Sequence, residues 1–203
     1  LLVALKDDLP ETKRAKLTAL LPDAQRPDGS WKPGGQLPSQ KRSAKETMAA
    51  TALWISLAAD DETARRAHAY AEKHASGESI ETHVLRLLRA TKAGDDKARK
   101  RNLRSLLDLQ RSDGSWGWLT DDPGDALGAG LALYALQKAG LPRDHDALER
   151  AVNFLTSTQR KDGSWPVRGT KAKKKGTVQE TATYWGTTWA LIALASGSDN
   201  PAN

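Results

Sequence analysis

The sequence predicts an all-α protein made of repeated helical hairpins. A heptad of the form Gln-Arg-x-Asp-Gly-Ser-Trp occurs three times, at residues 25–31, 110–116 and 159–165. Alanine-rich apolar segments alternate with more charged, amphipathic segments along the 203 residues. A string that recurs between helical segments indicates an internal repeat, in which each unit consists of two helices joined by a turn.

Each heptad combines a tight turn with two side chains suited to anchoring. In Asp-Gly-Ser, glycine is free to adopt a positive φ, and aspartate accepts hydrogen bonds from the backbone amides that follow it. Glutamine carries both a donor and an acceptor, and tryptophan adds a large apolar surface with one N–H donor. We therefore expect structural braces at six positions: Gln25, Trp31, Gln110, Trp116, Gln159 and Trp165.

The heptad resembles the QW motif of the squalene–hopene and oxidosqualene cyclases, whose wider group includes protein prenyltransferases and squalene-oxidase-type repeats. This resemblance implies that each heptad lies at the turn from an outer to an inner helix of an α/α toroid. It also implies that the heptads brace the outer surface and take no direct part in chemistry. The expected fold class is therefore all-α, with helical hairpins that form a partial α/α toroid.

Helical spacing places the two kinds of helix along the chain. Charged and leucine residues alternate in an amphipathic pattern in four expected outer helices, at about 10–21, 62–73, 97–109 and 146–158. Apolar character on almost all sides marks the inner helices around 51–57, 82–88, 130–136 and 188–194. The resulting hairpins span about 10–59, 60–93, 95–140 and 144–197, and we expect a single repeat domain over residues 1–203.

Local signals predict where some of these helices begin and end. Ser43 and Glu46 have the spacing of a capping box at the start of the first inner helix. Gly94, Gly140 and Gly197 stand where inner helices are expected to stop. Residues 2–8 match the tail of the last inner helix, so we expect a remnant of a fifth hairpin there. The hairpins would then form an open arc, and the apolar surface exposed at its edge would favour association with another domain or copy.

Composition excludes several classes of protein and site. The chain has no cysteine, which rules out disulfides, thiolate metal sites and the cysteine-containing zinc site of protein prenyltransferases. No apolar run approaches the roughly twenty residues of a membrane span. The net charge of +6 comes largely from 97–104 and 171–175, where no aromatic residues are interleaved, so we expect no nucleic-acid partner. Because the chain opens with Leu1, we expect a piece of a longer protein, and an extracytoplasmic location in a bacterium is favoured.

The catalytic motif implied by the resemblance is missing. Cyclases of the squalene–hopene type use an Asp-x-Asp-Asp cluster to protonate an alkene, and the nearest match is Asp121-Asp122-Pro123-Gly124-Asp125. Its Asp-Asp-x-x-Asp shape binds magnesium and diphosphate in other terpenoid enzymes, but Pro123 and Gly124 interrupt a helix there. We therefore expect Asp122 or Asp125 to be the N-cap of the next inner helix. No catalytic residue, metal site or cofactor is predicted.

The histidines give one further candidate. His68, His74 and His145 fall on expected outer helices or at their ends, which favours surface positions. His83 falls on an inner helix, where a hydrogen-bonded packing role is favoured and a functional side chain facing the centre is the alternative.

The most plausible ligand surface is the rim where the inner helices start. The repeats bring several polar and aromatic residues to similar levels there, chiefly Glu46, Glu81, His83, Asp125, Glu180, Thr183, Tyr184 and Trp185, with Thr47, Glu78 and Gln179 beside them. Simple capping of helix ends is the favoured role of the carboxylates. For Tyr184 and Trp185, packing against an adjoining hairpin is favoured, and contact with a sugar-like or isoprenoid ligand is the alternative.

Two functions fit these features. The favoured one is a non-catalytic repeat module that presents its inner rim or open edge to a protein domain, or to another part of a longer chain. A small apolar or sugar-like ligand is a further possible partner. The alternative function is a part of a terpenoid cyclase or prenyltransferase-like enzyme whose acid motif lies outside this chain. Braces are present and recognisable catalytic motifs are absent, so the sequence favours the module.

Overall fold

A computed structural model describes residues 10–32, 41–59, 62–171, 173 and 175–198. Over these residues the chain forms eight α-helices: α1 (Glu11–Asp23), α2 (Ala44–Ala58), α3 (Glu62–His74), α4 (Ile80–Ala93), α5 (Asp96–Asp108), α6 (Ala126–Lys138), α7 (Asp146–Thr158) and α8 (Glu180–Ser198). Extended pairing in the same residues is limited to isolated bridges between loops. The all-α prediction is therefore confirmed.

The chain divides into two compact units. Unit 1 consists of Leu1–Gly34 with Ser43–Ser76, and it contains α1, α2 and α3. Within it, α2 packs against α3, and both helices bury small side chains such as Ala49 and Ala67. Small residues allow two helices to approach closely, which explains why this helix pair is rich in alanine.

Unit 2 consists of Gly35–Arg42 with Gly77–Asn203 and has α6 as its core. This helix packs against α4, α7 and α8, and every residue from Ala126 to Leu136 is buried. At Gly130 the backbone of α8 comes so close that a Cβ atom would lie 2.6 Å from the carbonyl carbon of Trp189. The nearly all-round apolar sequence of α6 thus reflects neighbours on most of its sides.

The helix bounds agree closely with those expected from the sequence. Each expected outer helix lies within two residues of α1, α3, α5 or α7, and the four apolar segments fall inside α2, α4, α6 and α8. Ser43 Oγ accepts a hydrogen bond from the Glu46 amide at 3.2 Å, as expected of an N-cap. Gly94 and Gly140 follow α4 and α6 with φ of 65° and 80°, so both are helix-ending glycines.

The prediction that Gly197 ends the last inner helix is wrong, since α8 continues to Ser198. Gly197 serves packing instead, because a Cβ atom there would lie 3.0 Å from Nε2 of Gln137 on α6. The expected hairpin remnant at residues 2–8 lies outside the described residues. Among the described helices, none is both long enough and apolar enough to cross a membrane.

Candidate functional site

The three heptads fold into the same turn. In the second copy, Arg111 N–H donates to Ser115 O at 2.9 Å and Gly114 N–H donates to Arg111 O at 3.0 Å. Asp113 Oδ1 accepts from the Ser115 amide at 3.0 Å. The other two copies repeat these bonds within 0.1 Å, and all three central glycines have φ between 82° and 89°. Glycine is required because a side chain is strained at such angles.

Each heptad tryptophan is tied to the helix that precedes its turn. The indole N–H groups of Trp31, Trp116 and Trp165 donate to the backbone carbonyl ten residues earlier, at 3.1, 2.8 and 2.6 Å. All three side chains are buried. A buried indole with its single donor satisfied contributes apolar area without leaving a polar group unpaired.

Two of the heptad glutamines reach into the following outer helix. Gln25 Nε2 donates to Thr63 O at 3.0 Å, and Gln110 Nε2 donates to Ala147 O at 2.8 Å. Both also donate to the glycine carbonyl of their own turn, as Gln159 Nε2 does to Gly163 O at 3.0 Å. Gln159 has no outer helix after it among the described residues, and its side chain is exposed.

Loop residues form hydrogen bonds to the backbone at the starts of α4, α6 and α8. We call this region the unit-2 rim. Ile80 N–H at the start of α4 donates to Trp118 O at 3.1 Å, and Asp125 N–H donates to Trp116 O at 3.0 Å. Gln179 N–H, just before α8, donates to Val167 O at 2.9 Å. Thr183 Oγ1 accepts from Val167 N–H at 3.1 Å, so this side chain also ties the loop to its helix.

A largely buried ion pair lies within the unit-2 rim. Arg42 pairs with Glu81 and also donates to Ser79 Oγ at 3.3 Å. Its guanidinium lies 4.9 Å from the ring centre of Trp118, within the range of a cation–π contact. Glu81 therefore neutralises an arginine that is stacked on a buried tryptophan, and this contact occupies its carboxylate.

Asp125 caps α6, as one of the two sequence alternatives predicted. Its carboxylate accepts from the Gly128 amide at 2.8 Å. Burial raises the pKa of Asp125 to about 7; the nearby charge of Asp122 adds to the rise, and hydrogen bonds from backbone amides oppose it. The residue keeps some accessible surface, although protein atoms surround its carboxylate.

Asp122, the other residue expected as a possible N-cap of α6, has a different role. It is buried, and its Oδ1 lies 3.2 Å from Nζ of Lys175, which stands in the loop before α8. Its Oδ2 has no hydrogen-bond partner among the described residues. The Asp122–Lys175 pair connects the loops that precede α6 and α8.

Other rim candidates also bond to the protein itself. Glu46, in unit 1, is fully buried and accepts from the Ser76 amide and hydroxyl at 3.0 and 2.9 Å. His83 lies 3.1 Å from Ser105 Oγ through Nδ1 and 3.0 Å from Gly77 O through Nε2. A neutral ring with its proton on Nε2 satisfies both contacts, in accordance with the packing role.

The remaining histidines are half-buried and in contact with protein, whereas surface positions were favoured. His145 caps α7, with Nδ1 accepting from the Ala147 amide at 3.1 Å. The His74 ring centre lies 4.4 Å from that of Tyr70. His68 has its Nδ1 buried. Within the described residues, no group of three or more His, Asp or Glu side chains is arranged to hold a metal ion.

One face of α8 is exposed although it is apolar. Tyr184, Trp185 and Leu191 have 67%, 47% and 51% of their surface accessible, so the favoured packing of Tyr184 and Trp185 against an adjoining hairpin is not observed among the residues that the structure describes. Glu180, also proposed as a rim residue, is exposed at the start of this helix. Of the rim candidates in unit 2, Tyr184 and Trp185 present the largest accessible apolar surface.

Sequence reasoning missed Arg42, Trp118 and the contact between Lys175 and Asp122. Arg42 meets Glu81 across 39 residues of chain, and no local pattern signals such a contact. Lys175 was seen only as part of a basic run. Trp118 was recognisable in part, because it follows the heptad residue Trp116 by two positions and repeats its residue type.

Comparison with known proteins agrees with the heptad pattern. Residues 71–203 match the family model of the squalene-hopene cyclase C-terminal domain. A drimenyl diphosphate synthase from Streptomyces showdoensis is 28% identical over 105 residues, which cover 52% of this chain and 20% of that protein. A squalene–hopene cyclase from Zymomonas mobilis is 36% identical over 93 residues, which cover 44% of this chain and 14% of that protein.

The aligned parts thus span a fifth or less of these relatives. The expected resemblance to the terpenoid cyclase superfamily is confirmed, and with it the all-α fold class of helical hairpins that the heptads predicted. Because the family model matches more than half of its residues, the chain belongs to the squalene-hopene cyclase C-terminal domain family.

Proposed function

We propose that this chain is a non-catalytic repeat module of the terpenoid-cyclase-like group and binds a partner through the exposed face of α8. The heptads support this proposal because their tryptophans and glutamines bond to backbone carbonyls. In this proposal the six residues are structural braces. Residues engaged in this way are not available to bind or transform a ligand.

The carboxylates of the rim support a module in the same way. Glu46 bonds to Ser76, Glu81 pairs with Arg42, Asp122 pairs with Lys175, and Asp125 caps α6. Each contact stabilises the start of a helix or links two separate segments of the chain. For this reason we place partner binding at the exposed face of α8 and not at the carboxylates of the rim.

The observation that carries the proposal is the exposure of large apolar side chains on α8. Scattered exposed apolar residues are ordinary, but a tyrosine, a tryptophan and a leucine on one helix form a patch of the kind that marks interaction sites. Aromatic residues are enriched where proteins bind partners, because they bury much surface at a small cost in side-chain entropy.

An enzymatic role is the alternative, and the similarity to a squalene–hopene cyclase and a drimenyl diphosphate synthase favours it. In that case the chain belongs to a longer enzyme, and an acid motif elsewhere in it supplies the proton. Among the described residues, Asp125 is the carboxyl group to test as a proton donor, because its raised pKa of about 7 leaves part of it protonated at neutral pH.

Product analysis distinguishes the two functions. The purified chain and an Asp125→Asn variant are incubated with squalene and, separately, with a prenyl diphosphate, and the extracts are analysed by gas chromatography and mass spectrometry. We expect no cyclised or transferred product from either protein. A cyclic product that forms with the unmodified chain and disappears in the variant would show that Asp125 is a proton donor and would refute the module.

A further inference from the structure

A cavity of about 680 Å³ lies beside α7. Its walls are the end of α6 with the loop that follows it, one face of α7 and the end of α8, and none of the heptad or rim residues named above is part of its lining. A volume of several hundred Å³ is usual for sites that bind small molecules. We call this space the α7 cavity.

The α7 cavity has an apolar floor. Leu148 is buried, and Val152 stands four residues later on the same face of α7 and is half-buried. Leu141, in the loop before α7, is also half-buried and adds a third branched side chain to the lining. A ligand in the cavity would cover these side chains, so the floor favours a molecule with an apolar body.

Gln137, on the last turn of α6, brings an unpaired oxygen to this cavity. Its side chain is part of the lining, and its Oε1 is screened from solvent with no hydrogen-bond partner among the described residues. A buried carbonyl oxygen without a donor is disfavoured and requires an explanation. Gly197 leaves space for the amide, since a Cβ atom there would lie 3.0 Å from Gln137 Nε2. Because the terminal torsion of glutamine is broad in energy, the amide can turn its oxygen toward a donor in the cavity.

Two more acceptors stand on α7. Glu149 and Asn153 are four residues apart on the helix, and both are exposed in the lining of the cavity. The ion pair of this helix joins Arg150 to Asp146 and leaves Glu149 out. In the part of the chain that the structure describes, neither Glu149 nor Asn153 forms a side-chain hydrogen bond or ion pair. The lining therefore offers one carboxylate and two amide oxygens to a ligand.

From these groups we propose that the α7 cavity binds a small primary amine with an apolar body. An ammonium group has three N–H donors and no acceptor, which matches the side-chain oxygens of Gln137, Glu149 and Asn153. The apolar body covers Leu148 and Val152. The carboxylate of Glu149 makes the ammonium form preferable to a neutral alcohol of the same shape, because an ionised partner strengthens a hydrogen bond.

A carboxylate is the competing ligand, because Arg143 also lines the cavity. This arginine already takes part in an interaction within the protein, whereas the Glu149 carboxylate does not, so the amine is favoured. The exposed residues Tyr184, Trp185 and Leu191 of α8 are not part of the lining. Binding of an amine is therefore independent of the partner surface under the proposed function, and either one can fail without the other.

Titration of the full chain with phenethylamine, followed by two-dimensional ¹H–¹⁵N NMR spectra, tests the site. We expect the amide signals of residues 137–143 and 148–153 to shift in a saturable way. The dissociation constant should be about 0.1–1 mM, as for other ligands of about ten non-hydrogen atoms. 2-Phenylethanol and 3-phenylpropionate have the same ring without the positive charge, and both should bind at least about threefold more weakly. Absence of saturable shifts up to about 10 mM, or equal binding of the alcohol or the acid, overturns the proposal.

Two pairs of variants locate the site. Glu149→Gln should raise the dissociation constant of phenethylamine about three- to fivefold, the size usual for an exposed charge pair. Glu180→Gln removes an exposed carboxylate outside the cavity and should leave binding unchanged. Val152→Phe fills the cavity and should abolish binding, whereas Val178→Phe makes the same change at an exposed valine before α8 and should not. Equal effects within either pair overturn the proposal.

Gln137→Leu separates binding from folding. The substitution keeps the apolar bulk of the side chain and removes an oxygen that has no partner in the free protein. We therefore expect a melting temperature that is equal to or above that of the unmodified chain, together with weaker binding of phenethylamine. A lower melting temperature with unchanged binding would show that the Gln137 amide serves the fold and not a ligand, and it would overturn the proposal.

Discussion

Asp125 stabilises the start of a helix, although its burial disfavours the charged form of its own carboxyl group. Its carboxylate caps α6 by accepting from the Gly128 amide, which stabilises the ionised form. Burial has the larger effect and raises the pKa to about 7. The folded protein therefore binds a proton at this site more tightly than the unfolded chain does, whose aspartates keep the ordinary value of 3.8.

This shift predicts a pH dependence of stability. Because the folded pKa is above the unfolded one, the favourable contribution of Asp125 is complete below about pH 4 and is lost as the pH rises to about 7. We expect the free energy of unfolding to fall by up to about 3 kcal/mol over this range, since the accessible surface of the residue reduces the full effect. Asp125→Asn keeps a capping side chain, and its stability should vary less with pH.

Urea unfolding monitored by circular dichroism at pH 4, 5.5 and 7 measures this effect. Asp121→Asn removes an exposed carboxylate from the same loop and is the matched control. The low pKa values of Asp28 and Asp162, which arise from their hydrogen bonds to Ser30 and Ser164, act at the acid end of the range and in the opposite direction. If Asp125→Asn and the unmodified chain lose stability in parallel toward neutral pH, the raised pKa is wrong.

At the level of single residues, prediction succeeded where partners are local. The heptad turns, the Ser43 cap and the Asp125 cap all depend on residues within four positions of each other. The contacts of Arg42 with Glu81 and Trp118 join parts of the chain that are far apart, and sequence spacing carries no information about them. For that reason this part of the unit-2 rim could not be predicted before the fold was known.

Among the helices, the close approach of α6 and α8 determines the packing of unit 2. Gly130 permits this approach, since a Cβ atom would collide with the Trp189 backbone at 2.6 Å. A clash with backbone is not relieved by rotation of a side chain. The two helices would have to move apart, and the buried surface of α6 would lose contacts.

Gly130→Ala should therefore destabilise the protein although alanine favours a helix. We expect a loss of about 1–3 kcal/mol, which is the usual cost of overpacking. Gly197→Ala is the matched control, because it also lies within a helix and meets only the flexible end of Gln137. Its expected effect is between neutral and a gain of about 1 kcal/mol from helix propensity. Equal effects of the two substitutions in thermal unfolding would refute the importance of this contact.

Helix positions were predictable because each one has its own amphipathic or apolar pattern. The bounds of α3, α5 and α7 follow from the amphipathic patterns of charged and apolar residues. The end of α8 was misjudged because glycine is common both after helices and at close helix contacts. Only the position of Gln137 on α6 reveals that Gly197 is of the second kind.

In the molecule as a whole, four of the seven tryptophans differ clearly in their surroundings. Trp31, Trp116 and Trp165 are buried and donate to backbone carbonyls, whereas Trp185 is 47% accessible on α8. The sequence predicted the first group from the repeated heptad. It did not determine the role of Trp185, because exposure depends on which helices surround α8. The single-domain prediction for residues 1–203 and the partner surface remain proposals.

The free energies of unfolding of Trp116→Ala and Trp185→Ala, measured side by side in urea at low protein concentration, test this division most directly. We expect Trp116→Ala to lose about 3–5 kcal/mol, because it empties a fully buried site and removes the donor to Leu106 O. Trp185→Ala should lose less than about 1 kcal/mol. A negligible loss for Trp116→Ala, or an equal loss for both variants, would contradict the separation of bracing tryptophans from a binding one.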